Sequence, residues 1–202
     1  YLDFIVNSDA KNTIDTRFKV LQLLREFMVT DGFIEVETPT LQPKAGGAIA
    51  RPFTTHHNAM DIDMFLRIAP ELYLKRLIIG GYEKVFEVGK VFRNEGVDQT
   101  HSPEFTMMES YEAYTDVNGV MDMVERMCEH IFTQLNHSLN VEYAGKEANF
   151  SFPWKRISMF DLVSSHFEIE IKYDPELKDI QSKLAKKHNI QVDAPSIGTL
   201  VY

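Results

Sequence analysis

One cysteine, Cys128, is all that 202 residues contain. A single thiol cannot close an intramolecular disulfide, and such sparing use fits a reducing compartment. Long apolar runs are also missing: none reaches the roughly 18 residues that a membrane helix requires. Basic residues are scarce, 21 Lys and Arg against 30 Asp and Glu, for a net charge of −9. That balance argues against a broad basic surface wrapped in nucleic acid, although it permits a local basic contact. The opening "YLDFIVNSDAKNT" has no basic leader and no cleavage pattern, so no signal peptide is expected. Internal repeats and low-complexity stretches are absent. What is present, 44% hydrophobic and 25% charged residues, suits a globular domain that buries its own core.

Local patterns predict the elements. Asn12 or Thr13 is expected to cap a helix ending near Asp31, with Gly32 as its stop and Phe18, Leu21, Leu24 and Met28 at helical spacing. "FIEVETP" alternates like a strand closed by Pro39, and residues 44–52 read as a loop. "FTTHH" and "DIDMFLRI" read as paired strands with a turn near Asn58. Pro70 opens the helix "ELYLKRLII", which Gly80 and Gly81 stop. Strands follow at 84–94 and 104–114, then a helix from Asp116 with Val117, Met121, Val124, Cys128, Ile131 and Leu135 as its inward stripe. A hairpin turns at Ala144–Gly145, Ser158 and Asp161 form a capping box, and Asp174–Pro175 starts a last helix. Short turns between strands, without a βαβ rhythm, predict an α+β fold with an antiparallel sheet and one domain over residues 1–202.

The segment "FRNEGVDQTHSPEFTMMESY", residues 92–111, is chemically unusual. Alternation puts Phe105, Met107, Glu109 and Tyr111 on one face of the second strand. If the arms pair, Arg93 joins that face. A fixed cation, carboxylates, a phenol and an aromatic plate together suit a ligand with an anion, a cation and a flat ring, such as an aminoacyl-nucleotide. The plainer alternative is a structural salt bridge from Arg93 to Glu95 or Glu109.

"FRNEG" with "HSPEFTMMESYEAYTD" resembles motif 2 of class II aminoacyl-tRNA synthetases and, among them, the lysyl-tRNA synthetases. "RFKVLQLLREFMVTDGFIEVETPTL" resembles motif 1, and "GGAIARPFTTHHNAMDIDMFLRIAPELYLKRL" the stretch between the two. The resemblance implies an antiparallel sheet of six or seven strands flanked by helices, and a homodimer formed through residues 13–39. It implies lysine activation by ATP, transfer to tRNA(Lys), Mg2+ as the accompanying metal, and a cytoplasmic enzyme or its mitochondrial form. Arg93 would bridge the α-phosphate and the amino-acid carboxylate. Asn94, Glu95, His101, Ser102, Phe105 and Met107 would line the ATP site with it, Phe105 stacking on adenine. Glu109 and Tyr111 would read the lysine ε-ammonium, and Glu71 the α-amino group, with Gly47 giving close approach.

Simpler readings stand beside these. Glu71 suits the first turn of a helix for its charge alone. His101 could be a solvated loop residue, Phe105 and Met107 plain core, and Gly46–Gly47 only a turn. His56 and His57 are adjacent in a strand, face opposite ways, and make a poor zinc pair. "KLAKKH", residues 183–188, reads as a solvated helix face. Neither motif 3 nor the anticodon-binding barrel is found, so the expected assignment is the first half of a catalytic domain, with the main Mg2+ ligands beyond Tyr202. The isolated fragment is therefore expected to be inactive. Two other readings remain: a paralogue that lysylates a protein or lipid, and a non-catalytic dimerisation module.

Overall fold

The computed structural model describes residues 1–136 and 138–168. The expected helix from Asp174, the basic run 183–188 and the final "PSIGTLVY" lie outside them. The chain divides into two compact units, residues 1–152 and 153–202.

The first unit opens with a short helix α1, Leu2–Val6, and a long helix α2, Ser8–Thr30. The cap of α2 is Asn7, whose side chain accepts from the N–H groups of Asp9 and Ala10. Asn12 and Thr13, the expected caps, fall inside the helix. The Thr13 hydroxyl is spent there on the Asp9 carbonyl at 2.8 Å. Asp31 closes α2, and Gly32 follows at φ +88°.

Strand β1, Ile34–Glu35, runs parallel to β5, Lys84–Phe92, which pairs antiparallel with β6, Glu104–Glu112. The parallel pair departs from the all-antiparallel expectation. Its physical reason is the long connection between β1 and β5, which carries the chain back to the starting edge. That connection holds a second sheet in the order β2–β4–β3, with β2 at Leu41–Gln42, β3 at Thr54–His57 and β4 at Ile62–Leu66. The β3–β4 pair and its turn are as the sequence predicts, whereas β2 is an addition. Helix α3 spans Glu71–Ile79, with Pro70 as its cap and Gly80 at its end. Helix α4, Val117–Asn136, and the hairpin β7, Asn140–Tyr143, with β8, Lys146–Asn149, complete the unit. The described residues thus form two three-stranded sheets and a hairpin flanked by helices, rather than one sheet of six or seven strands. The α+β class holds.

The core lies between α2, α4 and the outer face of the β5–β6 hairpin. Phe27, Met28, Phe33, Phe86 and Met123 cluster there, with Val88, Met108 and Met127 packed against them. The stripe expected along α4 is half-buried from Met121 to Leu135, with Val124 packed against the core cluster; Met123, outside the stripe, is the fully buried residue, and only Val117, 64% exposed, departs from it. Phe18 on α2 is likewise exposed. In the second unit, helix α5 spans Met159–Phe167. Ser158 Oγ accepts from Asp161 N–H at 3.0 Å and donates to its carboxylate at 2.7 Å, as the capping pattern predicts.

Candidate active site

The inner face of the β5–β6 hairpin carries the candidate site. The ladder pairs Val85 with Tyr111, Glu87 with Glu109, Gly89 with Met107 and Val91 with Phe105. Opposed residues in an antiparallel pair project to the same side, so Phe105, Met107, Glu109 and Tyr111 share a face, as alternation predicts. Pairing extends one step further, through Arg93 N–H to the Pro103 carbonyl at 2.9 Å, which brings Arg93 to the same end as Phe105.

At that end the Arg93 guanidinium lies 5.3 Å from the centre of the Phe105 ring. Its buried Nε has no hydrogen-bond partner among the described residues. The expected rivals for Arg93 are engaged elsewhere. Glu95 accepts from Arg51 N–H at 3.3 Å, and Glu109 from the Tyr111 hydroxyl at 3.1 Å. A half-buried guanidinium with an unused donor is a receptor for an anion. Beside it is a cleft of about 300 Å³ lined by Arg93, Glu95, Thr100, His101, Ser102 and Phe105. Asp98 organises its rim, accepting from the N–H groups of Thr100 and His101 and from His101 Nδ1 at 2.8 Å. These bonds hold the Asp98 carboxyl well below the usual carboxylate range, the Thr100 N–H having the largest effect. They also leave His101 with Nε2 as the nitrogen facing away from Asp98. Ser102 lines the cleft, but its hydroxyl donates to the Glu104 carbonyl at 2.8 Å. Asn94 anchors the loop through its N–H to the Arg51 carbonyl at 2.7 Å, and Met107 sits further along the face, opposite Gly89.

The other end is acidic. Burial pushes the Glu109 carboxyl above its ordinary value. The Tyr111 bond and the Arg93 charge oppose that rise, and Glu71 and Glu87 add to it. Burial and the neighbouring Glu109 charge push the Tyr111 phenol well up, so its proton stays in place to donate. Glu71, first residue of α3, pairs with Lys75 Nζ at 2.5 Å, and that ammonium lies 5.8 Å from the centre of the Tyr111 ring. Gly47 lies against Glu71 at φ +89°, where a Cβ would meet Glu71 Cβ at 3.0 Å and Ala69 Cβ at 3.3 Å. Both the left-handed backbone and the close approach therefore call for glycine.

Two buried residues escape the sequence reading. Arg67, at the end of β4, and Glu87 in β5 form an ion pair 3% and 4% exposed. The legible hint was Gly89, a glycine inside a strand, which marks a close approach by another group. Its missing Cβ is filled by Arg67 Nη2, which would stand 2.1 Å from it.

A family model for class II tRNA synthetases (D, K and N) matches residues 1–195. The chain belongs to that family. Among similar proteins, the lysine–tRNA ligase of Clostridium tetani is 54% identical over 183 residues, covering 89% of this chain and 36% of that relative. The lysine–tRNA ligase of Clostridium botulinum (strain Langeland) is 50% identical over 194 residues, covering 95% of this chain and 38% of its own length. That of Thermotoga maritima is 46% identical over 201 residues, covering 100% of this chain and 40% of its own length. The chain therefore spans little more than a third of the class II synthetases it matches. No described helix is long and apolar enough to cross a membrane, and no group of three or more His, Cys, Asp or Glu among the described residues is placed to hold a metal ion.

Proposed function

We propose that the protein carrying this segment is a lysine–tRNA ligase, and that residues 1–202 are part of its catalytic domain. The observation that carries this reading is the polarity of one strand face. An anion receptor, Arg93 with its unused Nε over Phe105, stands at one end; Glu109 with Tyr111, and Glu71, stand at the other. Phe105 and Glu109 are four residues apart on a strand, about 13 Å. Between them an aminoacyl-adenylate would place its phosphate toward the guanidinium and its ammonium groups toward the carboxylates.

In the first step a carboxylate oxygen of lysine attacks the α-phosphorus of ATP. The bond to the β-phosphate oxygen breaks, and pyrophosphate leaves with its electron pair. Arg93 neutralises charge on the α-phosphate and orients the attacking carboxylate, and His101 faces the departing phosphates. Catalysis on this face is positioning and charge stabilisation. Phe105 and Met107 hold the base, with Asn94, Glu95 and Ser102 around it. Glu109 and Tyr111 select the ε-ammonium, and Glu71 with Gly47 the α-amino end. In the second step a terminal ribose hydroxyl of tRNA(Lys) attacks the adenylate carbonyl, forming the ester and releasing AMP. Mg2+ would accompany ATP in this reading, with its main ligands expected beyond Tyr202. A homodimer through residues 13–39 and a cytoplasmic setting belong to the same reading.

The test is amino-acid-dependent ATP–pyrophosphate exchange by the full-length protein, followed by charging of tRNA(Lys). Exchange selective for lysine, with charging, is the expected result. Selective exchange without charging would favour a paralogue with another acceptor. No exchange with any amino acid would sink the enzymatic reading.

A further inference from the structure

The Arg67–Glu87 pair adjoins the acidic end of the site through Glu87, which faces Glu109 across the ladder, and its bonds converge from three segments. Arg67 Nε donates to the Lys90 carbonyl at 2.8 Å. Nη1 donates to Glu87 Oε1, and to the carbonyl and hydroxyl of Thr38, both at 3.2 Å. The Thr38 hydroxyl in turn donates to Glu87 Oε2 at 2.6 Å, so both carboxylate oxygens of Glu87 are engaged. The main chain of Arg67 is held as firmly: its N–H donates to the Thr40 carbonyl at 2.8 Å, and its carbonyl accepts from Phe92 N–H at 2.9 Å. Arg67 thus ties the 38–40 segment to β5. It lies four residues before Glu71, and the strand residue bonded to its carbonyl immediately precedes Arg93.

Glu87 stands directly opposite Glu109 in the ladder. Such pairs have Cβ atoms about 5 Å apart, and like charges so placed repel. Around Glu109 the charged and titratable groups are Glu87 from β5, Tyr111 from β6, Arg93 at the strand end, and Glu71 with its Lys75 partner from α3. Burying a second carboxylate there is sustainable only with a resident cation, and the guanidinium seated on Gly89 is that cation.

We infer that Arg67 is a positioning residue of the amino-acid pocket: it neutralises Glu87 and fixes the short segment leading to Glu71, so that the negative charge offered to an incoming ammonium is that of Glu109. This inference rests on the lysine-pocket reading above. Without Arg67, Glu87 and Glu109 become an uncompensated carboxylate pair that holds a shared proton more tightly. A proton on Glu109 removes the charge that the ammonium needs.

The experiment compares the full-length protein with its Arg67→Met, Arg67→Lys and Arg67→Met/Glu87→Gln variants. Lysine and ATP dissociation constants are measured by calorimetry from acid to weakly alkaline pH. The Glu109 carboxyl midpoint of the unliganded protein is followed by carbon NMR. Arg67→Met is expected to move the acid limit of lysine binding, and the Glu109 midpoint, upward by about one pH unit. That corresponds to about tenfold weaker lysine binding on the acid limb. ATP affinity is expected to hold within about twofold, since its anion receptor is Arg93. The double variant, neutral at both positions, should return both midpoints to the wild-type position, and Arg67→Lys should lie close to wild type. A merely structural role for Arg67 would lower affinity evenly across pH and would not be repaired by Glu87→Gln. An unshifted midpoint in Arg67→Met, or a shift that persists in the double variant, overturns the inference. Should Arg67→Met fail to fold, the double variant decides by itself: a folded protein with the wild-type midpoint supports the inference, and an unfolded one or a displaced midpoint overturns it. A wild-type protein that binds no lysine at any pH sinks the lysine reading, while the NMR midpoints still test the charge relation between Arg67, Glu87 and Glu109.

Discussion

The Tyr111 hydroxyl donates to Glu109 Oε2 at 3.1 Å, two residues apart on the same strand face. The bond points a half-buried carboxylate into the site and leaves its other oxygen for a ligand. Glu109→Gln keeps the shape and removes the charge. Lysine affinity is expected to fall by about 2 kcal/mol or more, roughly 30-fold, the scale for truncating one partner of a desolvated charge pair. ATP affinity should stay nearly unchanged. Separate titrations of the two substrates check this, and equal losses for both would contradict the assignment.

The same substitution has an opposite effect on stability. Burial holds the Glu109 carboxyl above its ordinary value of 4.5. The folded protein therefore binds that proton more tightly than the unfolded chain. The resulting stabilisation is complete below 4.5 and is lost as pH rises through the folded-state value. At neutral pH the ionised side chain is a net cost in the unliganded protein. Glu109→Gln should raise Tm by a few degrees there, and the gain should shrink as pH falls through that window. Thermal unfolding at neutral and mildly acid pH measures it; a gain that grows on acidification would refute the sign.

Arg93 has its Nε unpartnered among the described residues and its guanidinium over Phe105. Arg93→Ala should lower adenylate formation by roughly 10²–10³-fold, the loss seen when one transition-state donor is removed. Lysine-dependent pyrophosphate exchange reads this directly. Near-normal exchange would remove Arg93 from the chemistry.

Gly47→Ala places a methyl group 3.0 Å from Glu71 Cβ while the backbone stays at φ +89°. The left-handed conformation alone costs a residue with a side chain about 1–2 kcal/mol. The crowding should push Glu71 aside, so the KM for lysine is expected to rise about tenfold while the KM for ATP changes little. Steady-state exchange with each substrate varied in turn tests it; a proportional rise in both would point to general misfolding.

Much of the candidate site's layout is legible because strand alternation is a property of the local backbone. Phe105, Met107, Glu109 and Tyr111 had to share a face once 104–112 was a strand, and Arg93 joined them once the arms paired. Helix stops at Gly32 and Gly80, the turn at Ala144–Gly145 and the Ser158 cap were equally local. The cap of α2 was misplaced because Asn7, Asn12 and Thr13 all have capping chemistry. Which of them ends the helix depends on how far the backbone continues, and here α2 extends back to Ser8.

Composition, alternation and turn chemistry determined the α+β class, the hairpin and the set of groups on its inner face. Tertiary structure alone decided what those groups meet. Arg67 reaches Glu87 across 20 positions and Thr38 reaches Glu87 across 49, so no local pattern reports either contact. The parallel β1–β5 pair, the inward turn of Met123 and the seat of Gly47 on Glu71 are of the same kind. Each is settled by which distant surfaces exclude water together, and a buried charge such as Glu87 is tolerable only where the fold delivers its partner.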